Sequence, residues 1–108
     1  MDDIKIKVLL NSSIYVPTVF SPNGDGINDV LAPATDPSIT MIRYFEIYDR
    51  WGELIYSVKD FVPNQAGIGW DGTMRNKKLE PGVFVYRLGA TNKRGREYIK
   101  YGDVTLIR

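Results

Sequence analysis

The sequence predicts an all-β fold, an antiparallel sandwich of two sheets with six or seven strands. Short runs rich in valine, isoleucine and aromatic residues recur along the chain, a composition typical of strands. Clusters of glycine, proline, asparagine and aspartate separate these runs and predict turns. No window of about 11 residues has convincing helical spacing. Short strands divided by turn signals in this way are the pattern of two packed antiparallel sheets.

The first two predicted strands cover residues 4–10 and 14–20. In the first, apolar residues alternate with lysines, which is the period of a half-buried strand. Pro17 has no backbone N–H, so the second strand is expected to lie at a sheet edge or to break midway. The whole chain, 1–108, is interpreted as a single domain. Residues 1–13 are either its first strand or the remnant of a preceding module.

The later strands are predicted at 39–49, 54–58, 83–91 and 96–107. Residues 50–53 join the first two of these as a hairpin with Gly52 at the tight position. Residues 92–95 form a second hairpin loop, and the last strand is expected to be interrupted at Gly102.

Side-chain alternation predicts which residues face the core. In 39–49, one face carries Met41, Arg43, Phe45 and Ile47, and the other carries Ile42, Tyr44, Glu46 and Tyr48. In 83–91, one face carries Phe84, Tyr86, Leu88 and Ala90.

The composition excludes several classes of protein. The chain has 108 residues, 44% of them apolar, which suits one domain with one core. It has no cysteine and no histidine, so it lacks disulfides, thiolate metal sites and the commonest general base. The net charge of +1 gives no electrostatic reason to expect nucleic acid as a partner. No apolar run approaches the ~20 residues of a membrane-spanning helix. Met1-Asp2-Asp3 resembles the start of a fragment rather than a signal peptide.

The glycine-rich loop at 23–29 is the best candidate for a metal site. Its oxygen donors for calcium would be Asn23, Asp25, the Ile27 carbonyl, Asn28 and Asp29. Calcium takes six to eight oxygens from a wrapped loop, and Gly24 and Gly26 let the backbone curl. The alternative is a metal-free turn stapled by aspartate and asparagine hydrogen bonds. Such a loop on a rigid scaffold is also a candidate recognition surface.

Two tryptophan motifs, Trp51-Gly52 and Trp70-Asp71-Gly72, are predicted to cap the core at the ends of the sandwich. The alternative is an exposed aromatic side chain that binds sugar or protein. Two basic turns, one with Arg75, Lys77 and Lys78 and one at 93–96, are predicted as solvated tips or as a docking patch.

The sequence does not predict an enzyme. A nucleophilic dyad needs a histidine or a cysteine, and the chain has neither. The carboxylate pairs Asp25/Asp29 and Asp60/Asp71 lie in predicted turns of a domain too small for a deep cleft. No catalytic residue is therefore assigned, and calcium is the only cofactor considered.

Five motifs in order resemble a known family. They are VPTVFSPNGDGINDVL at 16–31, YFEIYDRWGELIY at 44–56, WDGT at 70–73, PGVFVYRL at 81–88 and GDVTLIR at 102–108. The set resembles the gliding-motility-associated C-terminal domain of Bacteroidetes, the type B sorting domain of the type IX secretion system. The resemblance covers the chain from about Ile14 to Arg108.

The resemblance implies an Ig-like or fibronectin-like sandwich of about seven strands that closes a large adhesin or surface enzyme. It also implies outer-membrane type IX secretion components as partners, a covalently fused N-terminal passenger, and export through the periplasm to the cell surface or medium. The alternative function is a calcium-binding adhesion or spacer module. The expected partner-binding residues are Asn23, Gly24, Asp25, Gly26, Asn28, Asp29, Val104, Thr105, Leu106, Ile107 and Arg108. Residues 104–107 are expected to be an open edge that accepts a partner's strand.

Overall fold

The computed structural model describes residues 7–8, 13–24, 29–65 and 68–108, and every regular element among them is a strand. The predicted all-β fold is confirmed. The strands are β1 (Lys7–Val8), β2 (Ile14–Tyr15), β3 (Val19–Phe20), β4 (Ala34–Thr35), β5 (Ile39–Tyr48), β6 (Leu54–Phe61), β7 (Thr73–Met74), β8 (Lys77–Lys78), β9 (Gly82–Asn92) and β10 (Glu97–Leu106).

One large sheet dominates the fold, with the strand order β1-β10-β9-β5-β6. The long strands β5, β6, β9 and β10 pair antiparallel. Two short strands pair parallel with β10, β1 near its start and β3 at its end. The ladders β2–β4 and β7–β8, together with an isolated bridge between Leu31 and Trp70, supply the remaining pairing. The sheet is therefore antiparallel in its centre and mixed at one edge.

The two predicted hairpins form because their turn residues accept the required backbone geometry. Gly52 and Gly95 have φ values of 88° and 80°, which lie in the left-handed region that favours glycine. At the second hairpin, the Asn92 side chain accepts hydrogen bonds from the backbone N–H groups of Arg94 and Arg96. Local chemistry therefore specifies both turns.

The core lies between the inner face of the large sheet and the short elements that cover it. The predicted inner face of β9 is confirmed, since Phe84, Tyr86, Leu88 and Ala90 are all buried. Fully buried side chains of the same core include Phe20, Leu31, Phe45, Trp70 and Leu106. Each large apolar side chain buried in this way contributes about 1.5–3 kcal/mol relative to leaving it in water.

The face assignment in β5 was wrong for its first half. Ile42 was placed opposite Phe45, but both are buried in the core. The register against β9 shifts between Ile42 and Tyr44, and this irregularity turns Ile42 inward three residues before Phe45. Beyond the shift the alternation holds, with Ile47 buried and Glu46 on the outer face.

The interruption expected at Gly102 does not occur, because β10 runs through it. The ring of Tyr86 lies across Gly102, with atoms 3.0–3.2 Å from where a Cβ would stand. This aromatic cover fills the gap that glycine leaves in a strand. The break expected at Pro17 is confirmed, since β2 ends at Tyr15 and β3 begins at Val19. Of the strand predicted at 4–10, only residues 7–8 lie among the described residues.

Candidate recognition surface

The loop after β3 is held by one carboxylate. Asp29 Oδ1 accepts the backbone N–H groups of Asn23 at 3.1 Å and Gly24 at 3.0 Å. Gly24 has a φ of 83°, which allows the chain to turn at this point. The geometry matches the stapled turn that the sequence offered as the alternative to a metal site. Asp25, Gly26, Ile27 and Asn28 lie outside the described residues.

Calcium binding by this loop stays a prediction. Of its proposed calcium ligands, the structure describes Asn23 and Asp29, which lie at the two ends of the loop. The backbone N–H of Asn23 donates a hydrogen bond to the Asp29 carboxylate. Within the described ranges, no three acidic side chains come together as a metal-binding group.

The end of β10 differs from the expected open edge. The N–H of Thr105 donates to Thr18 at 2.8 Å, and the N–H of Ile107 donates to Phe20 at 3.0 Å. Val104 and Leu106 are buried in the core. The prediction that 104–107 offer an unpaired edge is therefore wrong, because β3 already occupies it. The side chains of Ile107 and Arg108 remain exposed.

Three of the family-like motifs meet at Gly72. A Cβ at this residue would lie 3.1 Å from the Pro22 ring, 3.1 Å from the Arg108 guanidinium and 3.4 Å from Leu106. The φ of Gly72 is 84°, so a larger residue would also be strained. The start of the 21–29 loop, the Trp70-Asp71-Gly72 motif and the end of the chain therefore form one end of the domain.

Arg108 fastens this end. Its guanidinium donates hydrogen bonds to the carbonyls of Gly72 and Leu79, both at 2.9 Å. Hydrogen bonds from a charged donor are among the stronger ones in proteins. No local pattern in the sequence joins these residues, which lie 29 and 36 positions apart.

Trp70 packs in the core at this same end of the domain. Its side chain is fully buried, with ring centroids 5.2 Å from Phe20 and 5.0 Å from Phe84. The indole N–H donates to the carbonyl of Thr73 at 2.9 Å. Its predicted structural role is confirmed. Asp71 accepts hydrogen bonds from the backbone and the hydroxyl of Thr73, which shapes the turn that follows.

Trp51 does the opposite of what was predicted. It was placed over the core, but it is 81% exposed at the tip of the β5–β6 hairpin. Asp49 Oδ1 accepts the N–H groups of Trp51 and Glu53, both at 2.9 Å, which directs the turn outward. The guanidinium carbon of Arg50 lies 5.1 Å from the indole centroid. The alternative of an exposed aromatic side chain therefore applies to Trp51.

Both basic turns are exposed hairpin tips. Arg75, Lys77 and Lys78 lie around the β7–β8 turn, and residues 93–96 lie between β9 and β10. Docking by the basic turns remains a prediction.

The carboxylates of the predicted pair Asp60/Asp71 have separate partners, since Asp60 lies 3.3 Å from Arg43 and Asp71 binds Thr73.

The shifted pKa values of three side chains have structural causes, either burial or a hydrogen bond within a turn. Burial raises the pKa of Tyr56 and Tyr86 above the ordinary value. The hydrogen bond from the Ser38 hydroxyl lowers the pKa of Asp36 in the turn before β5.

Comparison with known families gives one match. A family model described as the CHU_C type IX secretion signal domain matches residues 14–106. No curated protein matches the chain. No helix in the described part of the chain is long and apolar enough to cross a membrane.

Proposed function

The chain belongs to the type IX secretion signal domain family, and from this premise we propose that it carries a covalently attached passenger out of the cell. Members of this family are secretion signals rather than enzymes, and their role implies contact with the secretion machinery and export to the surface or medium. The proposed route crosses the periplasm and the outer-membrane type IX apparatus. The proposed position is the C-terminal end of a larger protein.

The observation that supports this proposal is the coincidence of the family match with the folded unit. The match begins at Ile14, where β2 begins, and ends at Leu106, where β10 ends. The matched segment includes the sixteen buried apolar residues that the described part of the chain contributes to the core. A short linear signal would not need such a core. We therefore propose that the machinery recognises the folded domain and not an extended peptide.

The proposed recognition surface is the end of the domain around Gly72. It combines Asn23, Gly24 and Asp29 of the loop after β3, the Trp70-Asp71-Gly72 turn and the exposed side chains of Ile107 and Arg108. Val104, Thr105 and Leu106 act by holding this end in place, since their backbone and side chains are already paired or buried. Loops and termini on a rigid sheet are common positions for recognition.

An export assay tests the proposal. The domain is fused to the C-terminus of a fluorescent reporter that carries its own signal for the periplasm, in a bacterium with a working type IX system. We expect the reporter on the surface or in the medium, and retention inside the cell when the outer-membrane type IX channel is deleted. Export without that channel would contradict the proposal.

Point substitutions separate folding from recognition. Deleting 102–108 is unsuitable because it also removes the buried Val104 and Leu106. Trp70→Ala should stop export by unfolding the domain, whereas Ile107→Ser should reduce export while the melting temperature stays near that of the wild type. Tyr101→Ala, which alters a residue 65% exposed on β10, is the matched control. Normal export of Trp70→Ala, when circular dichroism shows that the variant is unfolded, would show that the fold is not required.

A further inference from the structure

A cleft lies beside the exposed tryptophan, between the β5–β6 hairpin and the segment that enters β9. Its volume is about 360 Å³, within the range of sites that hold small ligands or single side chains. Its walls are mainly aliphatic, from Ile55, Leu79, Pro81 and Val83. Phe84, which packs on Trp70 in the core, also lines the cleft. The cleft is therefore built on the rigid part of the fold.

Trp51 stands on the rim of this cleft with 81% of its surface exposed. The turn that carries it is fixed by the Asp49 carboxylate and by the positive φ of Gly52. A tryptophan on a fixed turn loses little conformational entropy when a partner covers it, and tryptophan is enriched among residues that dominate binding energy. Exposure on a fixed turn next to an apolar cleft suits a docking anchor.

The charged side chains on the rim indicate which charge the partner carries. Three carboxylates, those of Asp49, Glu53 and Glu80, line the cleft against one guanidinium, that of Arg50. The chain as a whole carries a net charge of +1, so this acidic excess is local. A cation is attracted both by the carboxylates and by the face of the indole ring. The local acidic excess therefore favours a cationic group on the partner, and the aliphatic walls favour an apolar one beside it.

We propose that this cleft binds an extended peptide segment in which an apolar side chain alternates with lysine or arginine. The apolar side chain lies between Leu79 and Val83, and the cation lies against Trp51 and the rim carboxylates. This surface is distinct from the end of the domain around Gly72. The proposed peptide binding does not depend on the proposed secretion role, so an experiment can refute either one without the other.

The probe is the peptide acetyl-Val-Lys-Val-Lys-amide, titrated into the whole isotope-labelled chain and followed by backbone amide NMR. We expect saturable shifts confined to residues around the cleft, including Glu53 and Gly82. Trp51→Ala should weaken the affinity by about thirtyfold, since truncating an aromatic anchor has effects of this size. The double variant Glu53→Gln/Glu80→Gln should also weaken it, and added salt should do the same to the wild type.

Matched controls make the outcome decisive. Tyr101→Ala removes a comparably exposed aromatic side chain outside the cleft and should leave the affinity unchanged. Replacing both lysines of the peptide by glutamate, or both valines by serine, should abolish binding. The NMR spectrum of Trp51→Ala itself reports whether that variant is folded.

Any of four titration results would overturn the proposal. They are shifts that do not saturate, binding unchanged in Trp51→Ala, equal binding of the glutamate peptide, and binding of cellotetraose in the cleft without binding of the peptide. Cleft shifts that depend on protein concentration alone would assign the surface to a second copy of the chain and would equally overturn it.

Discussion

The ring of Tyr44 lies on Gly89, its direct partner across the β5–β9 ladder. A Cβ added to Gly89 would stand 2.5 Å from one ring carbon of Tyr44 and 2.8 Å from another. The guanidinium of Arg87, on the same strand as Gly89, lies 5.0 Å from the centre of this ring. The glycine is thus required by a side chain of another strand and not by its own backbone angle.

Gly89→Ala should destabilise the domain by about 1–3 kcal/mol, because the new methyl group must displace the Tyr44 ring. Gly82→Ala in the same strand is the control, since its Cβ would meet nothing within 4 Å, and it should change stability by less than about 0.5 kcal/mol. Urea denaturation measures both. In a Tyr44→Ala background most of the cost of Gly89→Ala should disappear. An unchanged cost there would show that another contact is responsible.

Trp70→Ala should destabilise the domain by about 3–5 kcal/mol, because it leaves a large cavity beside Phe20 and Phe84. This is a large part of the 5–15 kcal/mol typical of a whole domain. Trp51→Ala is the matched control and should be nearly neutral, since its side chain is mostly in water. Equal losses of stability in the two variants would contradict the burial difference.

Asp29→Ala should lower stability by about 1–2 kcal/mol, because the N–H groups of Asn23 and Gly24 lose their shared acceptor. Asp29→Asn keeps an oxygen at this position and should cost less. Differential scanning calorimetry measures both variants.

The same loop is the place to test calcium. If the loop binds calcium, millimolar calcium should raise the melting temperature, and Asp29→Asn should abolish the rise. An unchanged melting temperature would contradict calcium binding and support the metal-free turn.

The stability of the domain should decrease at acid pH, in part because Asp36 becomes protonated. Its folded pKa lies below the ordinary 3.8, first because the Ser38 hydroxyl donates to the carboxylate. A carboxyl whose pKa is lowered by folding stabilises the fold above its unfolded pKa, and this contribution is lost as the pH falls through the folded value. Asp36→Asn should therefore be less stable than the wild type at neutral pH and approach it as the pH falls below the ordinary pKa of 3.8.

Thermal melts at a series of pH values check this difference. Ser38→Ala removes the hydroxyl that lowers the pKa of Asp36, so stability should begin to fall at a higher pH in this variant than in the wild type. A difference between Asp36→Asn and the wild type that stays constant with pH would contradict the assignment.

Local chemistry made several elements predictable. The turn at 92–95 needs an asparagine that binds its own backbone and a glycine at positive φ, and both are visible in the sequence. The alternation in β9 predicts its buried face because the strand pairs with β10 from Gly82 to Thr91 without a register shift. Pro17 predicts the break between β2 and β3 because proline cannot donate to a ladder.

The prediction failed where a distant residue decides the outcome. Ile42 faces the core because the register against β9 shifts, and no local pattern in β5 shows that shift. The backbone at 105–107 is closed because Thr18 and Phe20, more than eighty residues earlier, pair with it.

The sequence by itself determined the all-β class, the positions of most turns and the family, because these follow from residue types and their spacing. Only the tertiary structure decided which of two tryptophans followed by a turn glycine is buried. Trp70 lies between Phe20 and Phe84, whereas Trp51 lies at the tip of the β5–β6 hairpin with 81% of its surface exposed. Local sequence sets the turn at each tryptophan, but burial depends on which distant strands arrive to cover it.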